Sequence, residues 1–143
     1  MSEYDPNYVP KKCYFLLGVK LIILNDKNEI LIIKRSDKMS RAGGWDFPGG
    51  GVDAGEDLQM AAIREAREET GVEIANPKLF TSQFINDGPD EAVIAGLSAK
   101  ASDPTVTLSW EHDEYKWVSI EEAENIGLPE LHQDILTKYI NSL

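Results

Sequence analysis

The chain has 143 residues, 42% hydrophobic and 27% charged, the balance of a folded globular protein long enough to bury one core. Asp and Glu number 25 against 14 Lys and Arg, and the formal net charge of -11 repels the phosphates of nucleic acid and anionic lipid. Nonspecific binding to either is disfavoured, and a phosphate ligand needs local positive charge, for which a metal ion is the simplest source.

Cys13 is the only cysteine, so no intramolecular disulfide forms, and it is expected as a buried thiol in an apolar strand. Met1 to Lys12 lacks the apolar centre of a signal peptide, and the apolar run that follows is interrupted by Lys20 and too short to cross a bilayer. The expectation is one cytoplasmic domain over residues 1–143, with neither nucleic acid nor membrane as partner.

In chain order, CYFLLGVKLIIL from Cys13 and EILIIKR from Glu29 read as strands, and the polar cluster Asn25 to Asn28 joins them in a hairpin. SDKMSRAGG is a loop. Trp45-Asp46-Phe47 is a short extended piece that ends at Pro48 and three glycines. A helix is predicted from Leu58 to Thr70, with Asp57 as N-cap and Gly71 at the left-handed C-terminal position. LFTSQFI and EAVIAGLSAKA read as strands around the turn signal Asn86-Asp87-Gly88-Pro89, and EYKWVS as another. Ser119 and Glu122 form a capping box for a short helix. A last helix from Pro129 to about Asn141 places Leu131, Ile135 and Tyr139 along one face. Strands interleaved with three helices indicate an α/β protein in which a mixed sheet lies against helices.

The Leu58–Thr70 helix has an unusual charge pattern. At about 100° per residue Glu65 and Glu69 fall in line, with Glu68 close beside them and Ala62, Ile63 and Ala66 on the neighbouring arc. That puts three carboxylates at the border between core and solvent. A solvated charged face fits the same pattern, because like charges one turn apart cost only about 0.2–0.5 kcal/mol per pair. Helix residues three and four apart can also present oxygens to one hard cation such as Mg²⁺. The glycines just upstream allow a backbone group to approach a ligand closely.

From Gly50 the chain runs Gly, five residues, Glu56, seven residues, then Arg64-Glu65-Ala66-Arg67-Glu68-Glu69-Thr70-Gly71-Val72. This resembles the Nudix box at every fixed position, with Ala66 smaller than the aliphatic residue usual there. WDFPGG before the box, Ile32 to Arg35, and Glu111-His112 through Val118 resemble flanking parts of the same family.

The resemblance implies a Nudix-type α/β/α sandwich and hydrolysis of a nucleoside diphosphate derivative with Mg²⁺ or Mn²⁺. It implies Glu65, Glu68 and Glu69 as metal ligands, joined by a backbone carbonyl near Gly50. Glu56 and Arg64 would be the pair that fixes the loop on the helix. Glu68 and Glu69 would share the catalytic work with Arg64 and with Glu111 as general base; Glu114 is the alternative base. His112 is read as structural. Arg35, and less directly Lys34 or Arg41, could touch phosphate, although a structural place at a strand end suits Arg35 equally. Trp45, Phe47 and Tyr115 are candidates for stacking on a base, or for the core.

The first expectation for the substrate is a (deoxy)nucleoside triphosphate cut to the monophosphate and pyrophosphate. Nucleotide sugars and dinucleoside polyphosphates are alternatives, as is a nucleotide sensor without turnover. The family also contains isoprenoid diphosphate isomerases, which rely on a catalytic Cys, and Cys13 is not placed for that. Many members are dimers, so a homodimer is compatible, but no interface is marked in the sequence.

Overall fold

A computed structural model describes residues 3–86 and 90–143. Along the chain run β1 (Leu16–Leu24), β2 (Ile30–Arg35), β3 (Trp45–Asp46), β4 (Gly49–Gly51), α1 (Leu58–Thr70), β5 (Lys78–Asn86), β6 (Glu91–Lys100), β7 (His112–Val118), α2 (Ile120–Asn125) and α3 (Glu130–Asn141). Of the turn expected at 86–89, Asn86 ends β5 and the other three residues lie outside the described ones.

The strands form one mixed sheet in the order β3-β2-β1-β6-β5, with β4 added beside β1 and β7 beside β2. β1 and β6 are parallel from Leu16↔Ala92 to Leu24↔Lys100, and the other pairs are antiparallel. Alternation along the strands sorts two cores. Leu21, Ile23, Leu31 and Ile33 pack with Ala61, Ala62 and Ala66 of α1. Ile22, Ile30 and Ile32 pack with Ala123 of α2 and with Ile135, Leu136 and Tyr139 of α3. Helices thus cover both faces, the α/β/α sandwich the resemblance implied. Among the described residues no helix is long and apolar enough to cross a membrane.

Two expectations need correction. Cys13 is exposed, because β1 starts only at Leu16, where β6 first supplies a partner. The expected hairpin survives only at its turn: β1 and β2 pair at Leu24↔Ile30, while β4 occupies the flank of β1 from Gly18 to Lys20. The run of three glycines allows that substitution. Gly49 has φ 155°, and a Cβ there would stand 2.0 Å from the Val19 carbonyl oxygen, so only glycine lets β4 approach so closely.

α1 has the predicted bounds. The Asp57 side chain accepts from the Met60 amide at 2.8 Å, and Gly71, at φ 67°, donates its N–H to the Arg67 carbonyl. Ser119 likewise accepts from the Glu122 amide at 3.1 Å and caps α2.

Candidate active site

Small residues let α1 lie close to the sheet, and this closeness buries two of its acids. Glu65 is 8% exposed and Glu69 5%, so both lie deeper than the expected core border, whereas Glu68 is exposed. Gly50 makes the room: a Cβ there would stand 2.5 Å from Glu65 Oε1. Glu69 Oε2 accepts the Gly49 N–H at 3.3 Å. Burial raises the Glu69 pKa well above the carboxylate range; Glu65 and Asp46 add to the rise, against Lys20 and the Gly49 amide.

Arg64 braces the edge. Its Nε and Nη2 each meet a Glu56 carboxylate oxygen at 2.8 Å, and Nη2 also donates to the Gly51 carbonyl at 2.8 Å. Nη1 lies between Glu65 Oε1 at 2.9 Å and Glu68 Oε2 at 3.2 Å. Among the described residues no three His, Cys, Asp or Glu side chains converge as a ready metal site. The donors nevertheless suit a hard cation: all are carboxylate oxygens, and Glu69 lies buried beside Glu65 with its charge opposed. Glu65 and Glu68 need release only Nη1, while Glu56 and Gly51 keep the rest of the guanidinium in place. Arg67 turns away to Glu73.

The Arg64 hydrogen bonds, helped by the Asp53 amide, lower the Glu56 pKa from 4.5 to about 2. A lowered carboxyl stabilises the fold above its unfolded value and loses that effect as pH falls through its folded one. Glu56→Gln is therefore expected to unfold at lower urea than the parent above pH 4.5, with the gap closing toward about pH 2. A gap that does not change with pH would contradict the pair's role.

The late loop is stitched to the end of α1 by the Thr107 amide on the Thr70 carbonyl at 2.8 Å and the Ser109 amide on the Glu69 carbonyl at 3.1 Å. Glu111 follows two residues later, and its carbonyl accepts from the Ser36 amide. Glu114 is instead drawn across the sheet to Lys34 at 3.3 Å. His112 is buried, and neither ring nitrogen has a hydrogen-bond partner among the described residues; burial lowers its pKa.

The expected base contacts fare differently. Phe47 is fully buried in the α3-side core, 5.6 Å from the His132 ring, so it cannot stack on a base. Lys34 and Lys116 lie over the Trp45 ring at 5.5 and 5.3 Å. Tyr115 is exposed. Arg35 takes the strand-end place: Nη1 meets Asp46 at 3.0 Å and Nε meets the Ser40 carbonyl at 2.6 Å, which leaves its side chain largely covered rather than aimed at a phosphate. A cleft of about 480 Å³ opens elsewhere, between Arg41, Gln83 and Phe84 on one side and Glu130, Leu131 and Asp134 of α3 on the other.

Sequence reasoning missed Asp46, which is buried and meets Lys20 Nζ at 2.9 Å, Arg35, and His132 Nε2. Burial pushes its carboxyl up, but Lys20 and His132 outweigh it and hold the pKa well below the carboxylate range. The signal was present. Lys20 interrupts an apolar strand, and His132 shares the buried α3 face with Ile135, Leu136 and Tyr139, so each needed a partner.

Known proteins resemble this chain in sequence and in fold. The family profile described as NUDIX domain matches residues 15–139. A Bacillus subtilis protein assigned as an 8-oxo-dGTP diphosphatase is 47% identical over 102 residues, which cover 65% of this chain and 64% of that one. The mouse bis(5'-nucleosyl)-tetraphosphatase is 32% identical over 105 residues, 69% of each chain. The crystal structure of the MutT protein from Methanosarcina mazei Go1 superposes with a TM-score of 0.81 at 30% identity, over 90% of this chain and 94% of that one.

Proposed function

The chain belongs to the Nudix hydrolase family, and from that premise we propose that it is a cytoplasmic, Mg²⁺-dependent hydrolase of a nucleoside diphosphate derivative. The substrate class we favour is a (deoxy)nucleoside triphosphate, cut to the monophosphate and pyrophosphate. One observation carries this reading: the buried Glu65 and Glu69 side chains beside Gly50 and Gly49, with exposed Glu68 one turn after Glu65 and Arg64 Nη1 between Glu65 and Glu68.

In this reading Glu65, Glu68 and Glu69 would hold the cation, which would supply charge neutralisation at phosphate and a more acidic water. Arg64 keeps the ligands in place through Glu56 and Gly51. Glu111, on the loop tied to the end of α1, accepts the proton of the attacking water. The cleft between Arg41, Phe84 and Leu131 receives the base, with the exposed Phe84 ring as its stacking surface.

The mouse relative favours a second reading, a dinucleoside polyphosphate. A panel of (d)NTPs, dinucleoside polyphosphates and nucleotide sugars, incubated with Mg²⁺ and resolved by anion exchange, separates the two. Pyrophosphate from a triphosphate supports the first, and absence of any hydrolysis across the panel would leave only a nucleotide-sensing module.

A further inference from the structure

We propose that Asp46 is a positioning residue that ties the walls of the α3-side cleft to the carboxylate edge of α1. This rests on the function proposed above, but the link itself can be read without any substrate.

Two segments that line the cleft, the loop at Arg41 and the start of α3, lead to Asp46. Arg35 meets Oδ2 at 3.0 Å and grips the loop before Arg41 through the Ser40 carbonyl at 2.6 Å and the Ser40 hydroxyl at 3.2 Å. On the other side His132, in the first turns of α3 between the lining residues Leu131 and Asp134, meets Oδ1. A ligand that draws Arg41 toward α3 therefore moves two groups held by one carboxylate.

From Asp46 to Gly49 each residue is fastened to β1. Lys20 Nζ bonds Asp46 Oδ1 at 2.9 Å and the Phe47 carbonyl at 3.4 Å, and the Leu21 amide donates to the Pro48 carbonyl at 2.8 Å. Gly49 pairs with Lys20 in register, and its amide holds Glu69 Oε2. Little room exists at this end, because a Cβ on Gly49 would stand 2.0 Å from the Val19 carbonyl oxygen. A shift of the Asp46 carboxylate thus reaches the Glu69 side chain within three residues. Lys20 and His132 share the oxygen Oδ1, so a loss at either changes how the other is held.

Asp46 itself is a poor target for substitution, since its removal strands two half-buried cations. Amide exchange on the full chain in His132→Gln, Lys20→Met and Lys20→Arg reads the link instead. His132→Gln is expected to speed exchange at Gly49 at least about threefold relative to β6 amides, although the substitution lies on α3. Lys20→Met should do the same, and Lys20→Arg should restore protection. Changes from His132→Gln confined to α3, or equal protection of Gly49 in all three variants, would overturn the link.

Kinetics add a readout that a purely structural role does not move. In folded His132→Gln, kcat should fall at least about threefold beyond any rise in KM; a loss that only tracks the unfolded fraction in urea would count against positioning. A parent chain that hydrolyses nothing while Gly49 responds to His132→Gln refutes the proposed function and keeps the link. Active enzyme with a silent Gly49 does the reverse.

Discussion

Glu69→Gln is expected to lower kcat by about 10²–10³-fold with Mg²⁺ present, while the chain stays folded. Charge stabilisation by a catalytic cation amounts to several kcal/mol, and each 1.36 kcal/mol is about tenfold in rate. The same substitution should not weaken the metal-free fold. Glu69 lies 5% exposed with its pKa raised by burial, so ionising it opposes folding. A carboxyl with a raised folded pKa gives its full stability below the unfolded value of 4.5 and loses it as pH rises toward the folded one. Gln has no such loss, so the variant should gain on the parent as pH climbs from 4.5, which urea midpoints at stepped pH without metal will read. Near-normal turnover would remove Glu69 from the cation site, and a variant that loses ground with rising pH would contradict its burial as a reluctant acid.

Gly50→Ala should separate activity from stability in a different way. Gly50 has no positive φ, so alanine is allowed by the backbone. Its new Cβ would stand 2.5 Å from Glu65 Oε1 and 2.9 Å from Oε2, and the atoms that must give way are the far end of a flexible side chain. Stability should therefore change little, within about 1 kcal/mol, while the Glu65 carboxylate swings out of place. Misplacement on the order of 1 Å costs about 10²-fold in rate, so kcat/KM should fall by about that factor while the urea midpoint moves by less than about 1 M. Gly49→Ala would not separate the two, since its Cβ meets the Val19 backbone oxygen at 2.0 Å and nothing there can yield. Full activity in Gly50→Ala would show that the Glu65 position is not critical.

The legible parts of this chain were those decided by local chemistry. Asp57 and Gly71 mark the ends of α1 because a side-chain acceptor and a left-handed residue are needed at those places whatever surrounds them. EILIIKR reads as a strand from its apolar, β-branched run, and its successive side chains go to opposite faces, Leu31 and Ile33 to one core and Ile30 and Ile32 to the other. The resemblance to the Nudix box, rather than local chemistry, implied Glu56 and Arg64 as a pair, and the two side chains meet bidentately across the loop.

Long-range pairing hid the rest. Nothing local in CYFLLGVKLIIL says that a partner strand begins only opposite Leu16, so Cys13 was expected inside and lies outside. Phe47 beside the glycines suited a base pocket, but its side chain points to α3, which arrives more than eighty residues later. Asp46 lacked a visible role for the same reason: its three partners come from β1, β2 and α3. A lone Lys in a buried strand and a lone His on a buried helix face each predict a partner without naming it.

The central claim is that the carboxylate edge of α1 is a cation site, and Mn²⁺ titration followed by electron paramagnetic resonance tests it most directly. The parent chain should bind, with Glu65→Gln and Glu69→Gln each weakening affinity at least about tenfold and Glu114→Gln, whose acid is held by Lys34, leaving it unchanged. Equal Mn²⁺ affinity in the parent chain and both box variants would contradict the claim.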